Sequence, residues 1–216
     1  YPKIVGIRCP IEFNPIIRFW TAELAEKGTK IISCQEGGGD GSKSINMIDE
    51  EFKYRLCDVF LTWGWQNNNK KVRRFYVTKN FPRKYNYNIN GDIVLLGASC
   101  RKYYFSSSSG QLPSYNNKLI EFNTNFIRNL NIDSYKSLIY RFHFKMGFNE
   151  QKILNKMFPD LKSSYREEST YFYDLLFKSK LIIISTDYTT NKQCFLLNHP
   201  TILLWDKHYF KLRPEA

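Results

Sequence analysis

Two rhythms of apolar and polar positions alternate along this chain. Ile4-Val5-Gly6-Ile7 is a compact apolar run that predicts a strand. Asn14-Pro15 supplies a cap and a proline at the first helical position; Ile16, Ile17, Trp20 and Leu24 then recur at helical spacing until Gly28 stops the helix. Thr29 to Ser33 predicts a second strand. After a glycine cluster, Ile45 to Leu56 carries Ile45, Ile48, Phe52 and Leu56 on one helical face, and Val59 to Thr62 predicts a third strand ending in Trp63-Gly64-Trp65. Strand, helix, strand, helix and strand with short connections predict a parallel sheet covered by helices.

Residues 66–91 interrupt this rhythm. Asn67 to Lys71 and Pro82 to Asn88 are polar, basic and Asn-rich around one strand-like piece, Phe75-Tyr76-Val77, and read as an interdomain crossing. The pattern then restarts. Strands are expected at Ile93 to Gly97, Ser137 to Phe142, Leu181 to Ile184 and Thr201 to Trp205. Helices are expected at about Asn117 to Leu130, Glu150 to Met157, Tyr171 to Lys178 and Thr190 to Leu197. The expected fold is therefore α/β, with two Rossmann-like parallel-sheet lobes facing a cleft. Residues 1–80 form part of the first lobe, 81–91 the linker and 92–216 part of the second. Such a cleft is the default place for a ligand. The chain opens at Tyr1 without an initiator Met and stops at Glu215-Ala216 just after a strand-like run, which reads as a fragment incomplete at both ends.

Composition narrows the class. At 216 residues and 43% hydrophobic content the chain can bury sizeable cores, and 17% aromatic content argues against disorder. No apolar run approaches the roughly 18–20 residues needed to span a bilayer. A net charge of +12 draws nucleic acid, anionic membrane or phosphorylated substrates without choosing among them. The five cysteines, Cys9, Cys34, Cys57, Cys100 and Cys194, are odd in number and widely spaced, and read as reduced core thiols of a cytosolic protein. His143, His199 and His208 are the only histidines; no zinc-ligand spacing occurs, and no metal or other cofactor is expected.

Candidate chemistry gathers first at Ile31-Ile32-Ser33-Cys34-Gln35-Glu36-Gly37-Gly38-Gly39-Asp40-Gly41, a strand signal running into glycines with two carboxylates. Adjacent glycines permit positive φ and close backbone approach to an anion, although a glycine cluster also suits a plain surface turn. Gly37 to Ser44 nearly spells a nucleotide-triphosphate loop, but Ser42 stands where that loop needs its second glycine. In the second half, the strand ending at Ile184 delivers Ser185-Thr186-Asp187-Tyr188-Thr189-Thr190 to a helix N-terminus, where free N–H groups and hydroxyls can hold phosphate. Asp187 or Thr189 is expected to cap that helix. Arg141 and His143 at a strand end, with Lys145 following, form a cationic group suited to a charged leaving group.

These strings carry a resemblance. Gln35 to Gly41, the acidic helix after it, Cys57-Asp58 and Thr62-Trp63-Gly64-Trp65 resemble a family of bacterial transferases linked to surface-carbohydrate biosynthesis. Arg141, Gly147-Phe148, Ser179-Lys180-Leu181, Asp187 to Thr190 and Asn198 to Leu203 agree with it. The resemblance covers most of the chain. It implies a GT-B glycosyltransferase arrangement in which the second lobe binds a nucleotide-activated sugar and the first presents a glycan or lipid-linked acceptor. Three positions depart from the family pattern: Glu36 where a His is usual, Asp40 where a Tyr is usual, and Gln193 where a Glu is expected to grip the donor.

On this reading Glu36 or Asp40 is the base on the acceptor hydroxyl, and Gly37, Gly38 and Gly39 shape the acceptor side. Arg141, His143, Thr189 and Thr190 hold the donor phosphate, with Gln193 on its sugar portion, and Gly97, Ser99 and Lys145 are further substrate-binding candidates. A solvated loop acid is the plain alternative for each carboxylate, and Glu50 and Glu51 read as a helix face. Cytoplasmic placement, with contact to an anionic inner-membrane leaflet, follows from the basic balance and the lipid-linked acceptor. Rival readings are a glycerophosphotransferase-like enzyme, an inactive homologue that kept the fold, and a basic nucleic-acid-binding protein. The last lacks a recognisable binding motif, and no nucleic-acid partner is expected.

Overall fold

In the computed structural model residues 1–8, 14–44, 47–77, 85–97, 113–143, 149–165, 172–187, 189–208 and 210–214 are described. The chain divides into two compact units, Tyr1–Phe81 with Lys211–Ala216, and Pro82–Phe210.

The first unit contains β1 (Ile4–Arg8), α1 (Pro15–Glu26), β2 (Lys30–Cys34), α2 (Met47–Arg55), β3 (Val59–Trp63) and β4 (Val72–Phe75). Its four strands are parallel and lie in chain order. α1 starts where the cap signal says: the Asn14 side-chain oxygen accepts from the N–H groups of Ile16 at 2.9 Å and Ile17 at 3.3 Å. Its buried stripe differs from the expected one. Ile17, Thr21 and Leu24 turn inward, while Ile16, Phe19 and Trp20 are exposed. Ile7, Ile31, Tyr54, Cys57, Phe60 and Val72 make the core of this unit.

Two segments depart from the sequence expectation. The strand expected at Phe75 to Val77 lies earlier, at Val72–Phe75, and completes the first sheet instead of standing in an interdomain crossing. Only Val72 of β4 is buried, so an edge strand with one inward side chain shows almost no apolar signal. The segment from Lys211 was expected in the second lobe but belongs to the first unit. Leu212 bridges Lys43 antiparallel, the Ser44 N–H donates to the Lys211 carbonyl at 3.0 Å, and the Arg213 N–H donates to the Ser42 carbonyl at 2.9 Å.

The second unit contains β5 (Asp92–Leu96), α3 (Pro113–Arg128), α4 (Ile132–Lys136), β6 (Leu138–Phe142), α5 (Glu150–Met157), β7 (Lys162–Tyr165), α6 (Phe172–Lys178), β8 (Ser179–Ile184), α7 (Thr189–Leu196) and β9 (Thr201–Leu203). The sheet is parallel, in the order β7-β6-β5-β8-β9. One face packs Leu95, Leu138, Tyr140, Phe142 and Ile183 against Ile127 of α3 and Leu154 of α5. The other packs Val94, Ile182 and Ile184 against Leu175 and Leu176 of α6 and Cys194 of α7. Burial on both faces explains why β5 and β8 read as unbroken apolar runs. β7 has no such signal; Lys162-Ser163-Ser164-Tyr165 is a polar edge strand on β6. The strand order reverses on either side of β5, and the crevice beyond the carboxyl ends of β5 and β8 is where open α/β sheets take ligands. Among the described residues no helix is long and apolar enough to cross a membrane.

Candidate functional site

The glycine segment of the first unit leaves β2 as a folded knot tied by side chains. Gln35, 1% exposed, has both ends of its amide engaged. Its oxygen accepts from the Trp63 backbone N–H and the Trp65 indole N–H, both at 2.8 Å, and its nitrogen donates to the Gly37 carbonyl at 2.6 Å. The end of β2 is thereby stapled to the end of β3. Thr62 adds to the staple by donating its hydroxyl to the Trp65 carbonyl. Gly38, Gly39 and Asp40 are buried, and among the loop's glycines Gly41 alone takes a positive φ, 77°. A Cβ at Gly41 would sit 2.4 Å from the Trp65 ring, so this position needs glycine for both conformation and space.

Glu50 of α2 is the hub of the knot, and not the solvated helix face expected for it; Glu51 does lie on the exposed side. Glu50 accepts from the Gly41 N–H at 2.7 Å, the Tyr54 hydroxyl at 2.8 Å and Arg213 Nη2 at 2.5 Å. Burial and the adjacent carboxylate push the Tyr54 phenol far above its ordinary range. The Arg213 guanidinium also donates to the Lys43 carbonyl at 3.2 Å and lies 5.9 Å from the Trp65 ring centroid. Asp40 is bound through both oxygens by Lys53, at 3.0 and 2.8 Å, the side chains being 5% and 12% exposed. Glu36 is different. It pairs with Arg8 Nε at 2.7 Å, and its side chain is 34% exposed. Of the two carboxylates read as candidate bases, Glu36 is the accessible one.

In the second unit the site elements meet at the carboxyl edge of the sheet. The Gly97 N–H donates to the Arg141 carbonyl at 2.9 Å, and the Ser185 hydroxyl donates to the Leu96 carbonyl at 3.3 Å, which ties β5 to both neighbouring strands. Ser185, Thr186 and Asp187 are buried, and Thr189 and Thr190 open α7 half-buried. The Asp187 carboxylate accepts from the Asn191 amide at 2.5 Å, with Lys192 Nζ 3.8 Å away. Arg141 is buried with its guanidinium 5.8 Å from the Phe172 ring centroid, and His143 follows β6 half-buried. Gln193 donates its amide to the Tyr173 hydroxyl at 2.8 Å. Ser99 and Lys145 lie outside the described residues. Among the described residues no three His, Cys, Asp or Glu side chains are grouped to hold a metal ion.

A family model described as LIC12162 family transferase matches residues 1–216. This chain belongs to that transferase family. No curated protein is matched by the sequence.

In this LIC12162 family transferase, Glu36, Asp40 and Gly37 to Gly39 stand together in the first unit. Gly97, Arg141, Thr189, Thr190 and Gln193 belong to the second. Gln35, Glu50, Lys53 and Arg213 hold the glycine segment in shape, and none of them was a site candidate in the sequence, where Gln35 stood only within the resembling string and Glu50 read as a helix face. The spacing of Glu50 and Tyr54, one helical turn apart, was a usable signal for a buried polar pair. Nothing local marks Arg213, which reaches Glu50 from 163 residues away in sequence.

Proposed function

We propose that this transferase moves a sugar from a nucleotide-activated donor to a surface-glycan or lipid-linked acceptor, within a GT-B-like arrangement of two Rossmann-like lobes. What carries the reading is the strand-order reversal in the second sheet. There β5 and β8 run out at Gly97 and at Ser185-Thr186, next to the threonine-bearing start of α7. Backbone N–H groups and hydroxyls at such a place suit a diphosphate. Arg141 and His143 would add positive charge as the leaving nucleotide takes up negative charge. Gln193, one turn into α7, would lie on the donor's sugar portion, with its amide oriented by Tyr173.

The acceptor side is assigned to the first unit. Glu36 is the preferred base because Asp40 already has both oxygens on Lys53. In the transfer the acceptor hydroxyl gives its proton to Glu36, its oxygen bonds to the anomeric carbon, and the bond from that carbon to the phosphate oxygen breaks. No metal is required for this scheme. A thermal-shift screen of uridine and cytidine nucleotides tests the donor assignment. A ligand at one hundred times its Kd should stabilise the folded chain by about 2.7 kcal/mol. Thr189→Val with Thr190→Val should remove most of that shift; no shift with any nucleotide would speak against the assignment.

A further inference from the structure

Asn123 of α3, Tyr140 of β6 and Glu150 of α5 make a chain of hydrogen bonds inside an otherwise apolar layer. Asn123 and Tyr140 are fully buried and Glu150 is 7% exposed. The Tyr140 hydroxyl donates to Glu150 Oε1 at 2.5 Å and accepts from Asn123 Nδ2 at 3.1 Å. Leu95, Ile127, Leu138, Phe142 and Leu154 pack in the same cluster. Among the described residues no cation supports the Glu150 carboxylate. Burial raises its pKa, the Tyr140 hydrogen bond opposes that, and the outcome is about 7. Glu150 is also the first residue of α5, where a helix N-terminus ordinarily favours ionised acids; burial outweighs it.

The chain has a second arrangement available. Asn123 Oδ1 is buried and has no hydrogen-bond partner among the described residues. A protonated Glu150 can donate to the Tyr140 oxygen, and the Tyr140 O–H can then donate to the Asn123 amide oxygen once that amide turns over. One proton enters, and the chain keeps its two hydrogen bonds, each with its direction reversed. Tyr140 also lies directly under Gly97: a Cβ there would fall 2.7 Å from the ring and 2.8 Å from the hydroxyl oxygen. The phenol is thus packed against the carboxyl end of β5.

We propose that Glu150 is a positioning residue, acting through Tyr140 on Gly97, that takes up a proton when a nucleoside diphosphate binds at the carboxyl end of β5. This rests on the second unit being the donor-binding one. An anion brought to that edge is disfavoured by an ionised buried carboxylate, so the neutral form of Glu150 binds it better. By linkage, binding then raises the affinity of Glu150 for its proton.

Calorimetry of the full chain with uridine diphosphate and cytidine diphosphate, in buffers of different ionisation enthalpy at pH 7.5, reads the proton directly. Wild type should take up a fraction of a proton that Glu150→Gln does not, the nucleotide's own ionisation being common to both. From pH 7 to pH 8 the wild-type Kd should rise by up to about fivefold more than that of Glu150→Gln. Tyr140→Phe is the second variant: without the phenol's hydrogen bond its Glu150 stays protonated, and the uptake is lost again. Carboxyl-labelled NMR of the free chain should show one glutamate titrating near pH 7 that Glu150→Gln lacks. Equal proton uptake in wild type and Glu150→Gln, or no such glutamate in the free chain, overturns this inference alone. Binding of neither diphosphate overturns the donor assignment and the inference with it.

Discussion

Replacing Arg213 with Met removes a cation bound to Glu50 while keeping most of the apolar bulk over Trp65. The side chains are 8% and 2% exposed, so the pair is shielded from water. Removing one partner of a buried ion pair costs about 3–5 kcal/mol, because the other charge stays behind uncompensated. Glu50 would keep two neutral donors, the Gly41 N–H and the Tyr54 hydroxyl, which points to the lower end of that range. Loss of the Lys43 carbonyl bond and the ring contact adds about 1 kcal/mol, giving an expected cost of about 3–4 kcal/mol. Urea unfolding followed by tryptophan fluorescence measures it, since Trp20, Trp63 and Trp65 all lie in the first unit. Arg213→Met combined with Glu50→Gln should cost less than the sum of the singles by roughly 1–3 kcal/mol, because the double variant buries no unpaired charge. An Arg213→Met chain within about 1 kcal/mol of wild type would refute the view that this segment holds the glycine knot.

Other perturbations have equally definite outcomes. Gly41→Ala meets both a positive φ and the Trp65 ring, and should cost about 2–4 kcal/mol in the same urea assay; a neutral result would mean that the loop can open there. Asn14→Ala removes the α1 cap and should cost about 0.5–2 kcal/mol by thermal unfolding, with Asn14→Ser close to wild type. His199 is buried, its Nδ1 bonded to the Tyr85 hydroxyl and its Nε2 3.4 Å from the Ser179 hydroxyl, and burial lowers its pKa. The unfolded chain therefore binds the proton first. The stability His199 contributes is present above the ordinary histidine range and is lost as pH falls through its lower folded value. Equilibrium unfolding from pH 7.5 down to pH 5 should show that loss as the difference between wild type and His199→Asn, in which the opposite contribution of Glu150 cancels.

The first sixty residues were legible because β1, α1, β2, α2 and β3 each follow a single period, and β5 and β8 because burial on both faces leaves continuous apolar runs. The edge strands were not. β4 and β7 are held by backbone pairing on one side and bury few side chains, so polar sequences such as Lys162-Ser163-Ser164-Tyr165 carry no period. α1 shows a different failure: Ile16 and Trp20 fit the helical spacing of an inward face, yet Ile17, Thr21 and Leu24 are the ones that meet the sheet. Threonine was not counted as a core residue there; its hydroxyl donates to the Ile17 carbonyl at 2.6 Å, which satisfies it when buried. The Gly and Trp-Gly-Trp strings marked a segment of the first unit, but not how it is built. Asp40 and Glu50 are buried by partners, Lys53 and Arg213, that no local pattern identifies.

The central claim is that the second unit takes a nucleotide at the carboxyl edge of its sheet. Titrating uridine diphosphate and cytidine diphosphate into the isotopically labelled full chain, and following backbone amide signals, tests it at residue level. Saturable shifts gathered at Gly97, Ser185, Thr186, Thr189 and Thr190 are predicted. Shifts confined to the glycine segment of the first unit, or none with either nucleotide, would contradict it.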